Sequence, residues 1–232
     1  MSRRILYDLA GADPALRFSP FCWRIRMALA HKGLEVETLP WRFTEKDRIA
    51  FAGSEKVPVL VDGERNLAES AIIAEYLEEA YPDRPSLFGG EGGRQAARFI
   101  SAWTEATLHA GVSRLVLADI HDCVAEKDRA YFRESREKRF GMTLEEMQAG
   151  RETKVEGFRK EIHPLRMVLR AQPYLGGAAP LYPDYIVFGA FQWARAVSAF
   201  PLLAADDPVA EWRERMLDLH DGLARRAPAR GA

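Results

Sequence analysis

Residues 83–93 (DRPSLFGGEGG) concentrate proline and glycine in a stretch without any apolar period, and such a stretch interrupts whatever regular element enters it. The chain is patterned differently on its two sides. Before the break, short runs of strand type alternate with amphipathic segments. After it no alternating strand pattern occurs, and helical periods run at about 94–120, 126–148, 152–171, 183–198 and 207–222. This predicts an α/β domain over 1–83, a linker over 84–93 with the boundary near residue 88, and an all-helical domain over 94–232. A chain of 232 residues is long enough to bury a core in each part.

In the first part, Arg4–Leu9 (RILYDL) reads as a strand stopping before Gly11 and Pro14. Phe21, Ile25, Ala28 and Leu29 share one face of a helix that starts at Pro20 and can close at Gly33. Leu34–Leu39 alternates as a half-buried strand, and the short connections suggest that it runs parallel to the first through a right-handed crossover. Residues 44–52 carry a weak helical period. Val57-Pro58-Val59-Leu60-Val61 is a strand-like run broken by proline, Asp62-Gly63 is a hairpin signal, and Asn66–Ala68 would be the returning strand. A helix opening at Glu69-Ser70 places Ile72, Ile73, Tyr76 and Leu77 on its apolar face and ends at Tyr81-Pro82.

Three places in this part have chemistry beyond folding. Ser19 falls at or beside the N-cap of the first helix, ahead of Pro20 at the first turn, among free backbone N–H groups and the positive end of the helix dipole. An anion, including a thiolate, is stabilised there, although a serine in that place also simply caps a helix. A cis Val57–Pro58 bond would turn the backbone of Val57 outward, free to pair with an extended peptide ligand. At the Glu69-Ser70 start, a carboxylate ligand would meet the Ser70 hydroxyl, its N–H and the helix dipole together, and the pair equally suits a plain helix start.

In the second part, residues 126–161 hold many mixed charges, as a solvated face does. Leu181–Phe191 (LYPDYIVFGAF) is the most apolar stretch, so its helix should cross the middle of the helical domain, with Asp184 as a cap near its start. The tail from Arg225 reads as frayed. The formal net charge of -1 and a charged fraction of 29% leave no basic field for nucleic acid. No apolar run is long enough to cross a bilayer. Two cysteines, Cys22 and Cys123, behind a start without a signal-peptide core make a reducing cytoplasm the expected compartment. His121 and His163 read as surface or satisfied residues, and no His/Cys/Asp spacing suggests a metal site.

Taken together, SPFCWRIRMAL from Ser19, KVPVLVDG over Lys56 to Gly63, and LAESAIIAEYLEEAYPDRPSLF from Leu67 to Phe88 resemble the glutathione transferase family, over nearly the whole chain. The resemblance implies a thioredoxin-like N-terminal domain that binds glutathione as co-substrate, followed by the all-helical domain, which would contribute the electrophile pocket. By resemblance, Ser19 would face the glutathione sulfur, Lys56, Val57 and Pro58 would hold the peptide, and Glu69 and Ser70 would take the γ-glutamyl amine and carboxylate. Phe18, Trp41, Trp103 and Thr107, with His109 and Arg114, are candidates for the wall that meets a small hydrophobic electrophile. Omega-type members carry Cys-Pro-Phe where this chain has Ser19-Pro20-Phe21. VDG, YPDRP, DIHDC, RESRE, EMQAGRE and YLGG look most like the bacterial β-etherase type, which cleaves aryl ethers with glutathione. The chain departs from that pattern at Leu181, where a Ser or Thr would complete a capping box with Asp184, and in its short extension past Leu223. Two other readings stand beside the transferase: a thiol–disulfide oxidoreductase or deglutathionylase using Cys22, and a non-catalytic ligand-binding protein on the same fold. The family resemblance also implies a homodimer.

Overall fold

Strand β1 (Arg4–Leu9) runs through the middle of a four-stranded sheet in the computed structural model, which describes residues 3–231. The order is β2-β1-β3-β4. β2 (Glu37–Trp41) pairs parallel to β1 with Leu9 opposite Trp41, and helix α1 (Pro20–His31) makes the crossover. β2 starts later than the alternation suggests and includes Pro40, which an edge strand tolerates because one side needs no donor. β3 (Val59–Asp62) and β4 (Arg65–Ala68) form the antiparallel hairpin, and Gly63 supplies the positive φ of its turn at 61°. The Val57–Pro58 bond is cis. The weak helical period after β2 is a 3-10 turn over Lys46–Ala52. Helix α2 (Ser70–Ala80) buries Ile73, Ala74 and Leu77, but Ile72, expected on the same face, is 55% exposed.

The remaining chain is helical. α3 (Glu91–Trp103) runs through a π-helical turn (Thr104–Leu108) into α4 (His109–His121). The pattern expected at 126–148 is two helices, α5 (Glu126–Phe140) and α6 (Leu144–Gln148). Gly141 closes the first in the left-handed region, and Thr143 and Glu146 cap the second reciprocally. Likewise 152–171 divides into α7 (Arg151–Glu161) and α8 (His163–Ala171), because Pro164 lies in the first turn of α8 and its ring cannot continue α7. α9 (Tyr182–Val197) and α10 (Pro208–Gly222) complete the set. The tail does not fray: Arg225 pairs with Glu214 and Asp218, and Gly231 N–H donates to the Arg195 carbonyl at 2.9 Å. No described helix is long and apolar enough to cross a membrane.

α9 is buried along nearly its whole length and packs along α1. Its start is fixed by the Asp184 carboxylate, which accepts from the backbone N–H groups of Leu175, Gly176 and Leu181 and from the Trp212 indole at 2.7–3.0 Å. Leu181 supplies no side-chain acceptor, so the capping works in one direction only, from Asp184 back to Leu181. Further along, Gly189 lies against the Pro20 carbonyl: a Cβ there would come within 2.4 Å of that oxygen. Gly189→Ala should therefore push α9 off the start of α1 and cost about 1–3 kcal/mol. For a chain of this size that lowers the thermal midpoint by about 2–4 °C per kcal/mol. An unchanged midpoint in a calorimetric scan would show that the contact yields freely.

At the other end of α1, His31 Nδ1 meets the Tyr185 hydroxyl at 2.7 Å, and His220 Nε2 meets the same hydroxyl at 3.3 Å. Burial lowers the pKa of both imidazoles, that of His220 to about 4. A histidine with a depressed folded pKa takes its proton more readily in the unfolded chain, whose value is about 6.5. The stability tied to it is present above about pH 6.5 and is lost as pH falls toward about 4. His220 has φ of 53°, which asparagine tolerates. His220→Asn should shrink the fall in thermal midpoint between neutral pH and about pH 4.5, and an undiminished fall would place the acid sensitivity elsewhere.

Candidate functional site

The N-termini of α1 and α2 open on one cleft of about 630 Å3, between the sheet half and the helical half. Ser19 is the N-cap of α1. It has extended backbone (φ -70°, ψ 125°), is 4% exposed, and its Oγ accepts from the Cys22 N–H at 3.2 Å. Its own O–H is left to give either to the Cys22 sulfur beside it or to an acceptor in the cleft. Glu69 precedes α2 at φ 70°, a conformation that costs a non-glycine residue about 1–3 kcal/mol and that is retained where surroundings demand it. Its carboxylate makes no capping bond, contrary to the simple helix-start reading. Ser70, 5% exposed, presents a first-turn N–H and its hydroxyl, while its carbonyl accepts from the Tyr182 hydroxyl at 3.1 Å.

Lys56 and Val57 lie on the same cleft just before β3, with the Val57 backbone outside the sheet ladder. Pro58 is buried behind them and does not line the cleft. Phe18 and Trp41 line it, as does His109. The His109 ring stands edge-on to Phe21 and Trp193, and burial drives its pKa down to about 3, so the imidazole is neutral.

Trp103, Thr107 and Arg114 are absent from the lining. The π-helical turn over Thr104–Leu108 adds a residue to the helix repeat, so Ser101, Glu105, His109 and Ser113 share the face toward the cleft. Trp103 packs against the core instead, and Arg114 pairs with Glu161 at 2.9 Å.

Sequence reasoning missed Arg24. One turn into α1, it is 1% exposed, stacks on Phe21 at 4.6 Å, donates to Ser101 Oγ at 3.2 Å and lies 3.7 Å from Glu105. Among the described residues its Nε and Nη2 make no hydrogen bond of ordinary geometry, although the Tyr182 hydroxyl lies beside the guanidinium. A cation beneath two helix starts makes this end of the cleft electropositive. Its one sequence signal was a charge three residues after Phe21, on the side of the helix that should be apolar.

Cys22 is fully buried and outside the lining. Burial, reinforced by Asp8 beside it, raises the thiol pKa well above its usual value. Cys123, also buried, is pushed up to about 11. A reactive thiol needs exposure and a lowered pKa, and Cys22 has neither, which removes the structural basis for the oxidoreductase reading.

Residues 14–85 match the family model described as glutathione S-transferase, N-terminal domain, and residues 96–226 match glutathione S-transferase, C-terminal domain. Among curated proteins, a probable glutathione S-transferase from Glycine max is 33% identical over 114 residues, which is 48% of this chain and 48% of that protein. The chain thus spans about half the length of that relative. Among solved structures, glutathione transferase GSTFuA3 from Phanerochaete chrysosporium superposes with a TM-score of 0.77 at 24% identity, covering 96% of this chain and 93% of that one. A glutathione S-transferase from Ceriporiopsis subvermispora, solved in complex with glutathione, gives 0.75 at 25% identity, with 96% and 94% covered. A thioredoxin-like sheet domain followed by a helical domain is the shared fold. The chain belongs to the glutathione S-transferase family.

Proposed function

We propose that this protein is a glutathione transferase, in which the chain activates the thiol of bound glutathione and directs it at an electrophilic carbon. The observation that carries the reading is the convergence of Ser19, Val57 and the Glu69-Ser70 helix start on one cleft. The separated features match the separated groups of the tripeptide: Glu69 and Ser70 for the γ-glutamyl amine and carboxylate, Lys56 and the Val57 backbone for the middle and far end, and Ser19 for the sulfur. Ser19 donates a hydrogen bond to the thiolate and takes no covalent part. The α1 N-terminus and the buried Arg24 add positive potential, so the thiol pKa falls from about 8.5 toward neutrality. In this proposal residues 1–83 bind glutathione, 84–93 link, and 94–232 build the electrophile pocket.

Aryl ethers remain among the proposed electrophiles on the strength of the β-etherase-type motifs, while the relatives named above carry the general transferase name. The cleft's aromatic wall suits any small apolar electrophile. A homodimer is proposed as well, on the strength of the family resemblance; Phe51, Ile72 and Phe99, 51%, 55% and 71% exposed, are apolar side chains a partner could cover.

Ser19→Ala should keep glutathione affinity within a few-fold yet raise the pKa of the bound thiol by about one unit, because one hydrogen bond to a charged group contributes about 1.5–3 kcal/mol. Thiolate absorbance titrated in both proteins reads this directly, and an unchanged pKa would reduce Ser19 to a helix cap.

Ser70→Ala and Glu69→Ala should each weaken glutathione binding about ten- to a hundred-fold, without shifting the pH dependence of the chemistry. Isothermal titration decides it. Parent-like affinity in both variants would sink the glutathione assignment.

A further inference from the structure

We propose that Arg136 forms a carboxylate-binding subsite at the electrophile end of the cleft, so that the protein selects aromatic electrophiles carrying an anionic group on the ring. The inference rests on the transferase reading and deepens it. Arg136 projects from α5 into the cleft with its guanidinium carbon 4.5 Å from the Phe132 ring centroid and 4.9 Å from that of Phe43. Two aromatic faces hold the planar fork without consuming its donors. The Ser135 hydroxyl accepts one N–H at 2.8 Å, and the Tyr131 phenol lies beside it. Among the described residues no carboxylate pairs with it.

The rest of α5 shows what that omission means. Lys127, Arg129 and Arg133 pair with Glu45, Glu126 and Glu145 at 2.7 Å each. Arg139, one turn beyond Arg136 and also lining the cleft, stacks on Phe140 at 5.4 Å and likewise has no carboxylate partner among the described residues. Among the described residues Lys138 of this helix also lacks a carboxylate partner but lies outside the lining, so Arg136 and Arg139 are the two uncompensated cations of α5 that face the cleft. Desolvation lowers the pKa of Arg136, as it does for a half-buried cation short of counter-charge. Three acidic residues also line the cleft. Glu55 is held by Lys46, Glu105 is paired with Arg24, and Glu69 stands at the start of α2, so none of them compensates Arg136.

The wall leading to Arg136 sets the shape of its ligand. Phe18, next to Ser19, and Trp41 both pack against Phe43, with centroids 6.3 and 6.4 Å away, and Arg136 stacks on that same ring. One aromatic side chain thus separates the neighbour of Ser19 from the guanidinium. A substrate ring laid on this wall, with its reactive carbon toward Ser19, directs a substituent on its far side at the fork. A carboxylate there would make the paired, charge-assisted hydrogen bonds that guanidinium geometry favours.

The test uses two aryl chlorides that differ in charge, 4-chloro-3-nitrobenzoate and its neutral amide. With each, the glutathione sulfur forms a C–S bond to the chlorine-bearing carbon, the C–Cl bond breaks, chloride leaves, and the thiol proton goes to solvent. Each kcat/KM is divided by the uncatalysed rate of the same compound with glutathione. The parent should prefer the benzoate by about ten-fold or more, the effect of one hydrogen-bonded charge pair. Arg136→Met, which keeps the apolar stem, should abolish the preference with the amide rate largely unchanged, and Arg136→Lys should restore part of it. Equal normalised rates in the parent would overturn the subsite while leaving the transferase reading intact. So would a rise in glutathione KM common to both substrates in Arg136→Met, since the fork would then belong to the glycine carboxylate of glutathione. If neither chloride turns over, the transferase reading fails, and the two S-aryl conjugates decide the subsite by titration, read through Trp41 and Trp193 of the cleft wall. Tighter binding of the carboxylate conjugate that is lost in Arg136→Met supports it, and equal affinity overturns it.

Discussion

The cleft depends on one helix pressing against two helix starts. Gly189 of α9 meets the Pro20 carbonyl where any side chain would collide, and one face further up the same helix Tyr182 donates to the Ser70 carbonyl. Tyr185, between them in sequence, meets His31 at the far end of α1. Residues 182, 185 and 189 follow the spacing of a single helical face. The donors that would grip a ligand belong to the sheet half of the molecule, yet their positions are set by the helical half. Asp184 is the keystone of that arrangement, because its four accepted hydrogen bonds fix where α9 begins. A buried carboxylate with four donors is tolerable. With fewer it would be a desolvated charge, which explains why the missing Ser or Thr at 181 leaves the helix start intact.

The same bracing makes an electropositive pocket sustainable. Arg24 lies buried, with the Tyr182 hydroxyl beside its guanidinium, in a place that costs several kcal/mol for an isolated cation. Here the cost is offset by Glu105, by the Phe21 ring face and by the Ser101 hydroxyl, each incomplete alone. Behind α1, Asp8 is buried among Arg17, Arg26 and Cys22, and burial raises its pKa. That carboxyl raises the Cys22 thiol pKa on the hidden side of the helix, while the helix start and Arg24 favour an anion on the open side. Residues one turn apart thus meet opposite electrostatic conditions, decided by which face of α1 they occupy.

How much of this the sequence disclosed depends on whether the signal was local. Ser19-Pro20, Asp62-Gly63 and Glu69-Ser70 are punctuation, and the helix start or turn each announces is where it should be. The topology followed from order alone, since a strand, a helix and a strand joined by short links leave one handed solution. What stayed hidden was cooperative. The π-helical turn at Thr104–Leu108 has no composition marker, and around it Ser101 and Glu105 line the cleft while Trp103 and Thr107 do not. Gly141 and Pro164 were visible but were overridden by the long charged period around them. Phe43 is far in sequence from Phe132 and Arg136, which are neighbours one turn apart on α5, and it meets them only because α5 packs beside the chain that leaves β2. Asp128 of α5 ties this junction, accepting from the Phe43 and Thr44 backbone at 3.1 and 3.2 Å.

Serine at position 19 restricts the chemistry more than any feature of the pocket does. A cysteine at that helix start would itself ionise and attack, so a mixed disulfide with the ligand would lie on the reaction path. A serine hydroxyl stays protonated there and can offer only a hydrogen bond. Among the described residues the two thiols of the chain, Cys22 and Cys123, are both buried, and burial raises both pKa values. On the proposed transferase reading the reactive sulfur arrives with the ligand, and the protein's share of the work is to hold that sulfur as an anion beside an apolar wall. Such a wall desolvates a thiolate and strengthens its attack on carbon, provided that a donor keeps it ionised. Ser19, at the rim where the two conditions meet, is the one side-chain hydroxyl in the cleft that also caps the first helix.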